Sequence, residues 1–160
     1  MISILLFSCR GEDLNDLQKI DQVVNLYISD SNGVDLLNTE NANAYKTITL
    51  QDLNDPNTAL KAISTFSIKK DLNNVSYIDY AGGATRVLLT TSGQYPETYQ
   101  SEFYINLTKS VNDNDVTDVD TIKIQYSSKP SQFKVSKIWY NKQLAFSKVS
   151  VEPNIVKIVK

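Results

Sequence analysis

Glu102-Phe103-Tyr104-Ile105-Asn106-Leu107 decides the fold class. Phe103, Ile105 and Leu107 alternate with Glu102, Tyr104 and Asn106. A side-chain period of two belongs to a strand with one face on a core and the other in water. Downstream, Ile122, Ile124 and Tyr126 repeat the pattern, and Phe133 and Val135 begin it again. The apolar positions then change parity to Ile138 and Tyr140, which leaves Trp139 pointing the other way. Because a one-residue shift flips the face of a strand, a β-bulge is expected near Lys137. Residues 144–149 and 155–159 supply two last strands, divided by Pro153.

Upstream of the deciding stretch the strands are shorter. Residues 23–28, Val-Val-Asn-Leu-Tyr-Ile, are rich in β-branched and aromatic side chains and stop at Asn32-Gly33, a strong turn dipeptide. Further strands are expected at 45–50, 64–69, 75–80 and 85–91. Asp55-Pro56, an N-cap followed by proline at the first helical position, predicts one or two helical turns through Ile63. Gly82-Gly83 has neither a G-x-x-x-x-G-K pattern nor a following helix, so a hairpin turn is expected there rather than a phosphate cradle. The chain thus predicts an all-β fold. The expectation is an antiparallel β-sandwich of roughly seven to ten strands, immunoglobulin-like, with one short helical turn.

Composition narrows the function. The 160 residues allow one domain with a proper core, and a net charge of −2 with scattered lysines argues against a nucleic-acid partner. The chain has no histidine and one cysteine. A Ser-His-Asp triad, a Cys-His dyad, an imidazole metal site and an intrachain disulfide are therefore all excluded. Glu97 and Glu102 are the glutamates near aromatic side chains, and most aspartates fall in turns, so no paired acid and base stands out. The chain is expected to be non-catalytic and to need no cofactor.

The address comes from the first nine residues. The apolar run Ile2 to Phe7 ends at Ser8 and then at Cys9, after which Arg10, Gly11, Glu12 and Asp13 turn the chain polar. Leu6-Phe7-Ser8-Cys9 resembles a bacterial lipobox. That resemblance implies a signal remnant at 1–8, lipid on the Cys9 sulfur, a tether at 9–22 and the sandwich domain at 23–160. The run lacks a preceding Lys or Arg and is shorter than the usual 7 to 15 apolar residues, so a buried N-terminal strand with a core cysteine is the competing reading. The acids after Cys9 also resemble the surface-export signal of Bacteroidota lipoproteins. Asp120-Thr121-Ile122-Lys123-Ile124, followed by Val135-Ser136-Lys137-Ile138-Trp139-Tyr140-Asn141, resembles the closing strands of small lipoproteins of that phylum with immunoglobulin-like sandwiches. Asp30 to Asn38 resembles their first hairpin. The family has Asn-Gly where this chain has Asn141-Lys142. The resemblance implies an outer-membrane lipoprotein, facing the cell surface or the periplasm, and offers Thr121 of Asp-Thr-Ile as an O-glycan acceptor.

Two surface stretches are candidate contacts. Tyr95 and Tyr99, in a segment expected to be an exposed loop, together with Trp139, would suit a glycan platform. The loop 112–120 concentrates acids, and Asp113, Asp115 and Asp118 are its calcium candidates, although a solvated connection is the expectation. The function expected is membrane-anchored and non-catalytic, in adhesion, assembly or accessory binding, with a protein or glycan partner. A surface glycan-binding module is the alternative, and a calcium-stabilised adhesion domain a lesser one.

Overall fold

The computed structural model describes residues 17–160. The residues read as signal remnant, Cys9 and the first part of the tether lie outside them. Among the described residues the fold is all-β without helices, in two mixed sheets, the larger curled into a half-barrel.

Two long strands form the spine of the larger sheet. β8 (Glu97–Val111) and β9 (Asn114–Lys129) pair along their whole length. Phe103, Ile105 and Leu107 of β8 are buried against Ile122, Ile124 and Tyr126 of β9 on the same face. Slipping β8 by one residue would expose three apolar side chains at about 2 kcal/mol each, which fixes the register. β10 (Gln132–Tyr140) continues the sheet beyond β9, with a register break between Val135 and Lys137, the bulge that the parity change requires. On the other side β3 (Thr47–Asp52) pairs with β8, and β4 (Lys61–Ile63) with β3. β7 (Val87–Leu88) pairs with β8 beyond β3. The free side of β10 takes β1 (Lys19–Asp21) and β11 (Gln143–Ser147).

The smaller sheet runs β12-β2-β6-β5. Its strands are β2 (Val24–Ser29), β5 (Phe66–Lys70), β6 (Ser76–Tyr80) and β12 (Asn154–Val159). Val24, Leu26 and Ile28 of β2, Ile78 and Tyr80 of β6, and Val156 and Ile158 of β12 close the core from this side.

Several expectations are corrected. The sheets are not purely antiparallel, because β1 runs parallel to β10 and β12 parallel to β2. Twelve strands are present among the described residues, and β1 lies inside the stretch expected to be tether. The helical turn is absent: Asp55 accepts the N–H groups of Asn57 and Thr58, Leu60 has φ +52°, and β4 follows at once. Gly82-Gly83 is a crossing between sheets rather than a hairpin, since β6 and β7 belong to different ones. Gly83 has φ +114°, and a Cβ there would collide with Thr65 Oγ1 and approach Ile63 Cγ2 to 3.1 Å. Both long loops shrink, because β8 begins at Glu97 and β9 at Asn114, leaving Asn112-Asp113 as a two-residue turn with φ +50° and +62°.

Where the chain changes sheets, polar side chains hold it. Lys148, its side chain 5% exposed, pairs with Asp21 at 2.6 Å and donates to Glu152 O and Asn154 Oδ1. Asn154 in turn donates to Asp21 Oδ1 and Val23 O, both at 2.9 Å. This knot ties the β1–β2 crossing to the start of β12. Burial raises the Asp21 pKa, but Lys148 and Asn154 outweigh that and hold the carboxyl below its usual range.

Candidate functional site

The residues that sequence pattern singles out do not share one surface. Tyr95 is exposed, but Tyr99 faces inward, packing against the core with its ring tilted on Phe133 at 6.2 Å. Its hydroxyl donates to Glu97 Oε2 at 2.9 Å. Glu97 also accepts the Gly93 N–H at 2.7 Å; this bond first, and Tyr99 second, keep its carboxyl below the usual range. Trp139 lies on the opposite face of the sheet, opposite Lys123, whose ammonium sits 4.9 Å from the ring centroid. A groove using both Tyr99 and Trp139 is therefore not built. Glu97 and Glu102 likewise project from opposite faces of β8. Thr121 stands half-buried on the outer face, its N–H donating to Asn141 Oδ1 at 2.8 Å.

The acidic stretch is also divided. Asp113 sits in the turn, and Asp115 and Asp118 point to opposite faces of β9. The repulsion that a cation would relieve is met by an ammonium. Lys160 pairs with both Asp118 and Asp120, and Asn141 donates to Asp120 Oδ1 at 2.7 Å. Burial works against the Lys160 charge, yet its contacts with Asp118, Asp120 and Tyr140 outweigh that and raise its pKa. Burial pushes the Tyr140 phenol up to about 12, with Lys160 opposing. Among the described residues no group of three or more acids or cysteines converges to hold a metal ion.

A different surface gathers aromatic and polar groups. On the outer face of the smaller sheet, the pairing of β12, β2, β6 and β5 places Lys157, Tyr27, Tyr77 and Lys69 in one row. The two tyrosine rings stack, with centroids 5.2 Å apart and planes at 29°. Beside Tyr27 a groove of about 420 Å³ is lined by Asp71, Asn73, Val75, Ile155 and Lys157. Asp71 Oδ1 accepts the N–H groups of Asn73 and Val75, while Tyr27 donates to Oδ2 at 3.4 Å. Burial, then Asp71, raises the Tyr27 pKa, so the phenol stays a donor.

No family model, curated protein or solved structure matches the chain.

The tyrosine row offers binding chemistry. Apolar ring faces take up flat apolar surfaces, the lysines supply charge, and a groove of this size is within the range of small-ligand sites. Asp35 at this groove acts as a fastener, accepting N–H bonds from Leu37, Asn38 and Ser76, as does Asp52 of the larger sheet from Asn54 and Thr85. Alternation already directs Tyr27 outward from residues 23–28, and Tyr77 from 75–80. What sequence withholds is that β2 and β6 are neighbours.

Proposed function

We propose that the chain is a membrane-anchored, non-catalytic cell-envelope lipoprotein domain acting in adhesion, assembly or accessory binding. The observation that carries this reading is Leu6-Phe7-Ser8-Cys9 followed directly by a polar, acidic stretch. The polar segment from Arg10 to Gln18 gives a short lead between a lipidated Cys9 and the first strand at Lys19. Two chains of lipid on one residue suffice for stable anchoring. The half-buried Asp35 and the buried Asp52 support the non-catalytic part, because these carboxylates already accept backbone N–H bonds. The immunoglobulin-like sandwich is part of the same proposal, supported by two sheets facing over a common core and by a first segment that passes between them. Similarity to small Bacteroidota lipoproteins is its evolutionary counterpart.

The test is mass spectrometry of the protein made in its own cells. A chain beginning at a diacylglyceryl Cys9 is expected, and an unmodified thiol on a soluble chain that keeps residues 1–8 would contradict the reading.

A second reading, a glycan-binding module, is favoured by the Tyr27–Tyr77 stack above its groove rather than by Tyr95, Tyr99 and Trp139. A glycan array should then lose its signals on Tyr27→Ala and keep them on Trp139→Ala.

A further inference from the structure

The edge formed by β5 differs from the rest of the fold. β5 is the last strand of the smaller sheet, and no strand pairs with its far side among the described residues. Ala81 N–H donates to Thr65 O at 3.1 Å and Asp71 N–H to Val75 O at 3.0 Å. An antiparallel ladder alternates, so Ser67 and Lys69 exchange bonds with β6, while Phe66, Ile68 and Lys70 direct N–H and C=O away from it. The same residues are opposite Tyr80, Ile78 and Ser76, all buried, so their side chains point to the core side. Yet Ile68 is 44% exposed. Among the described residues nothing covers its inward face.

The reason is a divergence of edges. β4 pairs with β3 only at Leu50 to Asp52, after which the chain crosses to the other sheet and continues as β5. The edge of β3 at Thr47 to Thr49 and the edge of β5 therefore separate, and a cleft of about 440 Å³ opens between them. Tyr45, Ile48, Phe66 and Ile68 form its apolar walls. Lys46 and Lys70 also line it, against one acid, Glu40.

We propose that this edge receives an extended segment of a partner protein as an added β-strand. The segment carries apolar residues at alternate positions for the cleft and carboxylates for Lys46 and Lys70. A strand is the one element whose backbone matches a row of outward N–H and C=O groups, and period two lets alternate side chains enter the cleft. Charge selects the partner over a second copy: Lys69 is already paired with Asp79, but self-pairing of β5 would bring Lys70 of both copies onto one short ladder, whereas an acidic strand neutralises it. The inference stands on the edge geometry and is independent of lipid at Cys9.

The test uses the full chain and two blocked synthetic peptides whose cleft-facing alternate positions carry two valines and then one charged residue, aspartate in one peptide and lysine in the other, with threonine at every outward position. Hydrogen exchange and amide shifts are followed at Phe66, Ile68 and Lys70. The valine–aspartate peptide is expected to protect Ile68 and Lys70 and to bind at least about tenfold more tightly than its counterpart. Ile68→Pro removes an outward N–H without costing a bond to β6 and should abolish binding with the circular dichroism unchanged. Lys70→Glu, which keeps the strand backbone, should reverse the peptide preference. Failure of the valine–aspartate peptide to protect Ile68 and Lys70, equal binding of both peptides, or unchanged binding by Lys70→Glu would overturn the proposal. Protection of Ile68 that rises with protein concentration alone would assign the edge to a second copy, and would overturn it too.

Discussion

The outer edge of β10 carries β1 along Gln132–Lys134 and β11 along Lys137–Tyr140, whereas the outer edge of β5 carries no strand among the described residues. Both edges belong to one core, and each is finished by local chemistry. At β10 the chain is brought back twice, once by the Lys148 knot that holds the β1 crossing and once by the Asn141-Lys142 turn into β11. At β5 the strand is five residues long and ends in Lys69-Lys70, features that discourage edge-to-edge aggregation while leaving the backbone free. A covered edge needs specific polar fasteners, and a bare edge needs only to avoid the wrong partner.

Breaking the fasteners of the covered edge should therefore cost far more than altering the bare one. Lys148→Met takes the ammonium from Asp21 and Asn154 and should lower stability by about 3 kcal/mol in urea unfolding, since removing one partner strands the others. The same pair gives a pH signature. The folded Asp21 pKa lies below the ordinary 3.8, so its contribution is present above that value and is lost as pH falls through the folded one. In Lys148→Met the acid limb of the stability profile should become shallower.

Gly83→Ala probes the crossing where the cleft begins. With φ +114° and Thr65 and Ile63 in the way, it should cost about 2 kcal/mol, seen as a lower Tm. Lys142→Gly should act in the opposite sense. Lys142 holds φ +71° in a two-residue turn where glycine carries no Cβ penalty, so a gain of about 1 kcal/mol is expected in the same assay. The smallest effect belongs to the bare edge, where Ile68→Thr should stay within about 0.5 kcal/mol. A loss of several kcal/mol there would mean that Ile68 is covered after all.

Much of this was legible in the order of residues. Alternation in β8 and β9 located the core faces, and the parity change at Ile138 located the bulge and turned Trp139 opposite to its neighbours. The strands expected at 64–69 and 75–80 are joined by a turn at Asp71 to Asn74, with Asn74 at φ +62°. The failures share a cause, which is that long-range pairing decided them. Lys19-Ile20-Asp21 has no strand signature, and β10 makes it one. Asp55 did cap as its sequence promised, but a helix of one or two turns is marginal in water, and pairing of Ile63 with Leu50 took the segment instead. The acids of 112–120 were expected to form a solvated connection, and the strand that they build instead is held by Lys160, which pairs with two of them from about forty positions away. The candidate site was half legible, since Tyr27 and Tyr77 were directed outward by parity but brought together only by topology.

The contrast between the two edges is tested most directly by native-state hydrogen exchange of the dilute protein. Alternating protection is predicted in β5, with Ser67 and Lys69 slow and Ile68 and Lys70 fast, while β10 is slow throughout the stretches that pair on both sides. Slow exchange at Ile68 and Lys70 in the free monomer would contradict the account, because it would show that the edge is already closed.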